Sequence, residues 1–234
     1  MLSFNFGGKN SYDDYGILIS SRPNIPSPKR RVEYIDIPGR HSSLRYDEGT
    51  YEDITITVEC QLKNKDLIGK VDEIKGWLLG TGESGLIFSF QKDRKYIAQV
   101  VNQIDFSQIM KRFSDFIIVF NCRPFKYDAG NSLITLTKSS TSVSNIGTFE
   151  SYPIITVYGS GNISLTIKGQ TVKLYDISNK AVINSELMDC YDGALNNLNP
   201  KMEGEYPKLD LGSNVISWSG NVSKIEILPN WRWL

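Results

Sequence analysis

The chain has 234 residues, 26 Lys plus Arg against 26 Asp plus Glu, and 40% hydrophobic residues. That is enough apolar material for one large or two small packed domains, and the zero net charge gives no overall pull toward nucleic acid or an anionic membrane. Three cysteines, Cys60, Cys122 and Cys190, with no CxxC pair, exclude a disulfide framework and the usual zinc patterns.

The opening MLSFNFGGKN has no basic leader followed by an apolar run, so no secretory signal is expected. Nor is a membrane helix, because the longest apolar runs, such as FIIVF at 116–120, fall far short of the ~20 residues a span needs. PKRR (28–31) reads as a short solvated basic loop, too short to argue nucleic-acid binding. IDIPGRHSSL (35–44) follows and holds the chain's one histidine, His41. A base beside Ser42 and Ser43 could be read as hydrolase chemistry. Adjacent residues of an extended segment point to opposite faces, however, and no GxSxG elbow occurs anywhere. Pro38-Gly39 is a strong turn signal, so the stretch is expected to be a turn between two strands.

ITITVECQL (54–62) alternates Ile54, Ile56, Val58, Cys60 and Leu62 with polar residues, the pattern of a half-buried antiparallel strand. In NKDLIGKVDEIKGWLLG (64–80), Leu67, Val71, Ile74 and Leu78 recur at helical spacing, with Asn64 expected as N-cap and Gly80 as the end. This helix should pack that face on the sheet. GTGESG (80–85) matches GxGxxG, but with a helix before it and a strand after it. That is the wrong order for a dinucleotide site, so a helix-ending loop is expected. GLIFSF (85–90), YIAQVVNQIDF (96–106) and FSDFIIVFNCRPF (113–125) read as strands, the last two paired. Cys60 and Cys122 fall on apolar phases and are expected to be buried thiols in a protein made in a reducing cytoplasm.

After Phe125 the texture turns to Ser, Thr, Asn and Gly, which places a domain boundary near 128–132. LITLT, PIITVYG (153–159), NISLTIKG (162–169), QTVKLYDI (170–177), NVISWSG (214–220) and SKIEILP (223–229) are strand-like, with Gly169-Gln170 as a two-residue turn. The absence of helical pattern in this half predicts a β-sandwich. Asp189 and Asp192 in DCYDG lack the spacing of a calcium loop. Tyr158, Tyr175, Trp218, Trp231 and Trp233 could stack on sugars, but large rings are also ordinary core fillers, and packing is the expected role for most of them.

Taken in order, YGILISS (15–21), the PGR turn (38–40), the alternating strand, a helix ending in WLL (77–79), GLIFSF, CRPFKYD (122–128), YPIITVYGSGNISLTI (152–167) and LDLGSNVISWSGNVSKIEILPNWRW (209–233) resemble the distal tail proteins of siphovirus-type phages. The resemblance covers nearly the whole chain. It implies a mainly β protein of two β-sandwiches. Residues 1–130 would form a ring-building domain with a single helix, and 131–234 a galectin-like or carbohydrate-binding-module-like domain. It further implies a structural, non-enzymatic virion protein made in the host bacterial cytoplasm, without cofactor, metal or membrane. As a homo-hexameric ring this would be a hub joining the tail tube protein to tail-tip, baseplate and receptor-binding proteins, with DNA only as a passenger. Within that reading Pro38, Gly39, Arg40 and His41 are the expected ring-interface residues, Arg40 reaching a neighbour's carboxylate or backbone. A carbohydrate-binding role for the C-terminal sandwich is the alternative.

Overall fold

The computed structural model describes residues 1–63, 67–105, 107–110 and 113–234. The fold is mainly β, with one α-helix among the described residues. Two compact units divide it: Met1–Ala129 with Leu234, and Gly130–Trp233.

The first unit contains β1 (Phe4–Phe6), β2 (Lys9–Asn10), β3 (Ile17–Ile19), β4 (Arg30–Ile35), β5 (Leu44–Tyr51), β6 (Ile54–Lys63), α1 (Leu67–Gly80), β7 (Ser84–Phe88), β8 (Arg94–Val100), β9 (Ser107–Met110) and β10 (Phe113–Asp128). The main sheet runs β2-β1-β7-β8-β10-β6-β3, and β9 also pairs with β10. β6 and β10 pair antiparallel without a break from Phe113↔Lys63 to Cys122↔Ile54. Period two then fixes the burial. Ile54, Ile56, Val58, Cys60 and Leu62 face the core opposite Phe116, Ile118, Phe120 and Cys122, while Thr55, Thr57 and Glu59 face out. A one-residue slip would expose this entire set.

The helix packs on that core, but not through the four residues the spacing picked. Ile74 and Leu78 are buried and Val71 only half-buried, and Trp77 carries the contact. Its ring stacks on Tyr15 at 4.4 Å and lies 5.8 Å from Phe4, and its Nε1 donates to the Phe6 carbonyl at 3.1 Å. The Asn64 cap and the Leu67 side chain lie outside the described residues. At the other end, Thr81 N and Oγ1 both donate to the Trp77 carbonyl, at 3.1 and 2.6 Å, so GTGESG is a helix-ending loop leading into β7.

The second unit contains β11 (Ile134–Leu136), β12 (Thr141–Asn145), β13 (Ile154–Ile167), β14 (Gln170–Ile177), β15 (Lys180–Asn184), β16 (Asp189–Tyr191), β17 (Met202–Glu203), β18 (Gly212–Leu228) and β19 (Arg232–Trp233), with a 3-10 turn at Asn199–Lys201. Two pairs of predicted strands are each one long strand. PIITVYG and NISLTIKG merge into β13, and NVISWSG and SKIEILP into β18. β13 and β18 pair from Ile154↔Leu228 to Ile167↔Ile216, and the interior glycines fall where the register shifts. Gly159 sits at such a shift, where a Cβ would meet the Asn221 carbonyl at 2.3 Å, so the glycine marks a bulge rather than a turn. The β13–β14 turn is Lys168-Gly169, not Gly169-Gln170. Ile167 pairs with Gln170, and the two loop residues have φ of 50° and 89°, the left-handed pair a tight hairpin requires.

All three cysteines are buried and free. Burial raises the thiol pKa in each case, Cys122 to about 12 and Cys190 to about 11, which leaves them unreactive at neutral pH.

Candidate assembly interface

The stretch around His41 is the tip of an arm. β4 and β5 form a two-stranded antiparallel sheet of their own, paired from Arg30↔Tyr51 to Ile35↔Leu44. At the tip the Arg40 amide donates to the Ile37 carbonyl at 3.1 Å, with Pro38 and Gly39 between them and Gly39 at φ 82°. Proline supplies the second position of such a turn and glycine the left-handed third, so the sequence dictates a type II reversal. Ser43 Oγ donates to Asp36 Oδ1 at 2.6 Å, tying the two sides together below the tip. Pro38, Gly39, Arg40 and His41 are all exposed.

The root is held by side chains. Arg30 Nε donates to Asp47 Oδ1 and Oδ2 at 2.9 and 2.8 Å, and its guanidinium lies 5.7 Å from the Tyr51 ring. Tyr51 meets Phe125 of β10 edge-on at 6.0 Å, and Lys29 pairs with Glu52 at 3.2 Å. The hydrogen bond from Arg30 and a second from the Gly49 amide hold the Asp47 carboxyl below the usual carboxylate range. A depressed carboxylate contributes stability above its unfolded pKa of ~3.9, and this is lost as pH falls through the lower folded value. Asp47→Asn should therefore do to the arm at neutral pH what acid below about pH 4 does to the wild type. Amide exchange across Arg30–Tyr51 should accelerate in the variant while the β6–β10 amides stay protected. Unchanged exchange in the arm would show that this pair does not hold it.

What the arm presents is apolar. Tyr34 is 66% exposed, Ile35 42%, Ile37 41%, Leu44 44% and Tyr46 57%. Cross-strand register puts Ile35, Leu44 and Tyr46 on one face, and Tyr34 with Arg45 on the other. A two-stranded hairpin alone is marginal in water, and clustered exposed apolar side chains mark an interaction surface. These three residues were not singled out from the sequence. RVEYIDI has apolar residues in both phases with charges between them, so it lacks the clean alternation that marks a face.

His41 makes no hydrogen bond to a serine among the described residues, so the geometry assembles no nucleophile–base pair there. No group of three or more metal-ligating side chains occurs among the described residues, and no helix among them is long and apolar enough to cross a membrane. In the second unit the aromatics are engaged. Tyr158 lies under Lys224 Nζ at 4.3 Å and donates to Glu226 Oε2 at 2.8 Å, Tyr175 bonds Glu203, and Trp231 is buried.

Residues 11–122 match the family described as the phage tail protein RIFT-related domain. No curated protein matches the chain. Among solved structures, it is similar to the SPP1 Dit protein, described as a paradigm of the hub adsorption apparatus in phages infecting Gram-positive bacteria. The TM-score is 0.76 at 15% identity, over 97% of this chain and 98% of that one. The resemblance carried by the sequence motifs is borne out in this domain match and in the shared fold.

Proposed function

We propose that this chain, whose residues 11–122 match a phage tail RIFT-related domain, is a structural hub protein of the distal tail of a siphovirus-type phage. In this reading it is not an enzyme. Six copies close into a ring that joins the tail tube protein to tail-tip, baseplate or receptor-binding proteins, and DNA passes through without being recognised. Residues 1–130 build the ring, and residues 131–234 form a galectin-like unit.

The observation that carries this reading is the arm. It is an exposed hairpin with five large apolar side chains, rooted on β10 by Tyr51 and Phe125. A head-to-tail contact of one kind, repeated, closes a ring, and an arm projecting from each subunit supplies such a contact. Pro38 and Gly39 shape its tip, and Arg40 and His41 extend from it.

The test is the mass of the purified protein by light scattering across concentration, with electron micrographs of the same sample. Six-fold rings are the expected result. A protein that stays monomeric at every concentration, and also with tail partners present, would refute the hub.

A further inference from the structure

The first unit also carries a groove on the outer face of its sheet, far from the arm's root. About 610 Å³ of open space is lined by Glu59 on β6, Asp115 and Ile117 on β10, and Asn102, Gln103 and Asp105 on the segment after β8. The register that buries Cys60 against Phe116 turns Glu59 and Ile117 outward as a directly opposed pair. Asn102 fixes the wall: its side-chain amide donates to the Ile117 carbonyl at 3.0 Å, and its oxygen accepts from the Val119 amide at 2.8 Å.

Among the described residues that line the groove the charges are one-sided: none is a cation, and neither Glu59 nor Asp115 has an ion-pair partner among the described residues. Ile117, 48% exposed, adds apolar surface beside them. The arm's tip is the complement. At the root, Lys29 and Arg30 are already neutralised by Glu52 and Asp47. At the tip, Arg40 and His41 have no ion-pair partner among the described residues, and Ile37 stands exposed beside them.

Position decides who fills the groove. The arm is rooted near Phe125, whereas the groove lies at Asp115–Ile117, about 25 Å away along β10 at ~3.3 Å per residue. At six residues of β4 the tip lies roughly 20 Å from the root, and no residue of 35–44 is among the groove's described lining. A groove and a tip that are different surfaces of one chain suit a heterologous contact between copies, the kind that closes a ring.

We propose that the groove between Glu59, Asp105 and Asp115 is the receptor for the arm tip of a second copy of this chain, with Arg40 seated among these carboxylates and Ile37 on Ile117. The proposal rests on the hub reading and names the partner surface within it.

Two experiments on the full chain test it. In the first, Arg40→Cys is combined with Asp115→Cys and treated with a short bis-maleimide. A ladder of covalent oligomers ending at the ring size is expected, with neither single variant giving one. The native thiols are buried, so background should be low. In the second, the charges are exchanged. Arg40→Glu alone and Asp115→Lys alone should each weaken association about tenfold or more, and the pair together should restore it, with circular dichroism unchanged throughout. Wild-type rings accompanied by neither cross-linking nor rescue would overturn the groove assignment and leave the hub reading standing. A monomeric wild type would overturn both.

Discussion

Substituting Ile35→Asp together with Leu44→Asp should abolish self-association and leave both compact units folded. The two side chains oppose each other across the arm, each a little over 40% exposed, and neither belongs to a core cluster. Fully burying such a side chain is worth ~1.5–3 kcal/mol, and about half of that area remains to be buried in a contact. The substitution forfeits this gain and also places uncompensated carboxylates where a partner would have to desolvate them. A loss of about 3 kcal/mol per contact lowers each association constant by roughly 100-fold. Every contact of a ring repeats that loss, so rings should vanish over a narrow concentration range. Sedimentation velocity would follow the mass and circular dichroism the fold. A double variant with wild-type mass at micromolar concentration would take this face of the arm out of the interface. A variant that unfolds would mean the arm stabilises the subunit itself.

Trp77→Ala should be the most damaging single change in the first unit. It removes a ring that is 5% exposed, stacked on Tyr15 and in contact with Phe4, and the donor to the Phe6 carbonyl. Large-to-small changes of this kind cost ~3–5 kcal/mol through lost transfer free energy and the cavity left behind. Against a typical domain stability of ~5–15 kcal/mol, that is a large share. Trp77→Phe keeps a six-membered ring and loses three ring atoms together with the N–H donor, so it should cost less, about 1–2 kcal/mol. Urea denaturation of the full chain, followed in the far ultraviolet, would show the shift. A cost below about 1 kcal/mol for the alanine variant would mean that Ile74 and Leu78 alone hold the helix to the sheet.

Residues close in sequence determined a good deal here without help from the fold. The alternation of Ile54 to Leu62 identified β6 and its buried face, because period two leaves one phase to the core. The 3.6-residue spacing around Ile74 identified α1, and Pro38-Gly39 identified a reversal, because their backbone preferences are intrinsic. What depended on distant partners was not legible. β13 and β18 read as two strands each, since a glycine at a bulge and a glycine at a turn look alike until a partner strand shows the register. Trp77 became the helix's main contact only because Phe4, Phe6 and Tyr15 come to it from the start of the chain. The arm's apolar face has no clean alternation, because its strands pair only with each other and bury neither side. The groove exists because β6, β10 and the segment after β8 are brought side by side. Glu59 and Asp115 are far apart in sequence, and only the antiparallel pairing of β6 with β10 brings them to one space, with Asp105 on the segment after β8.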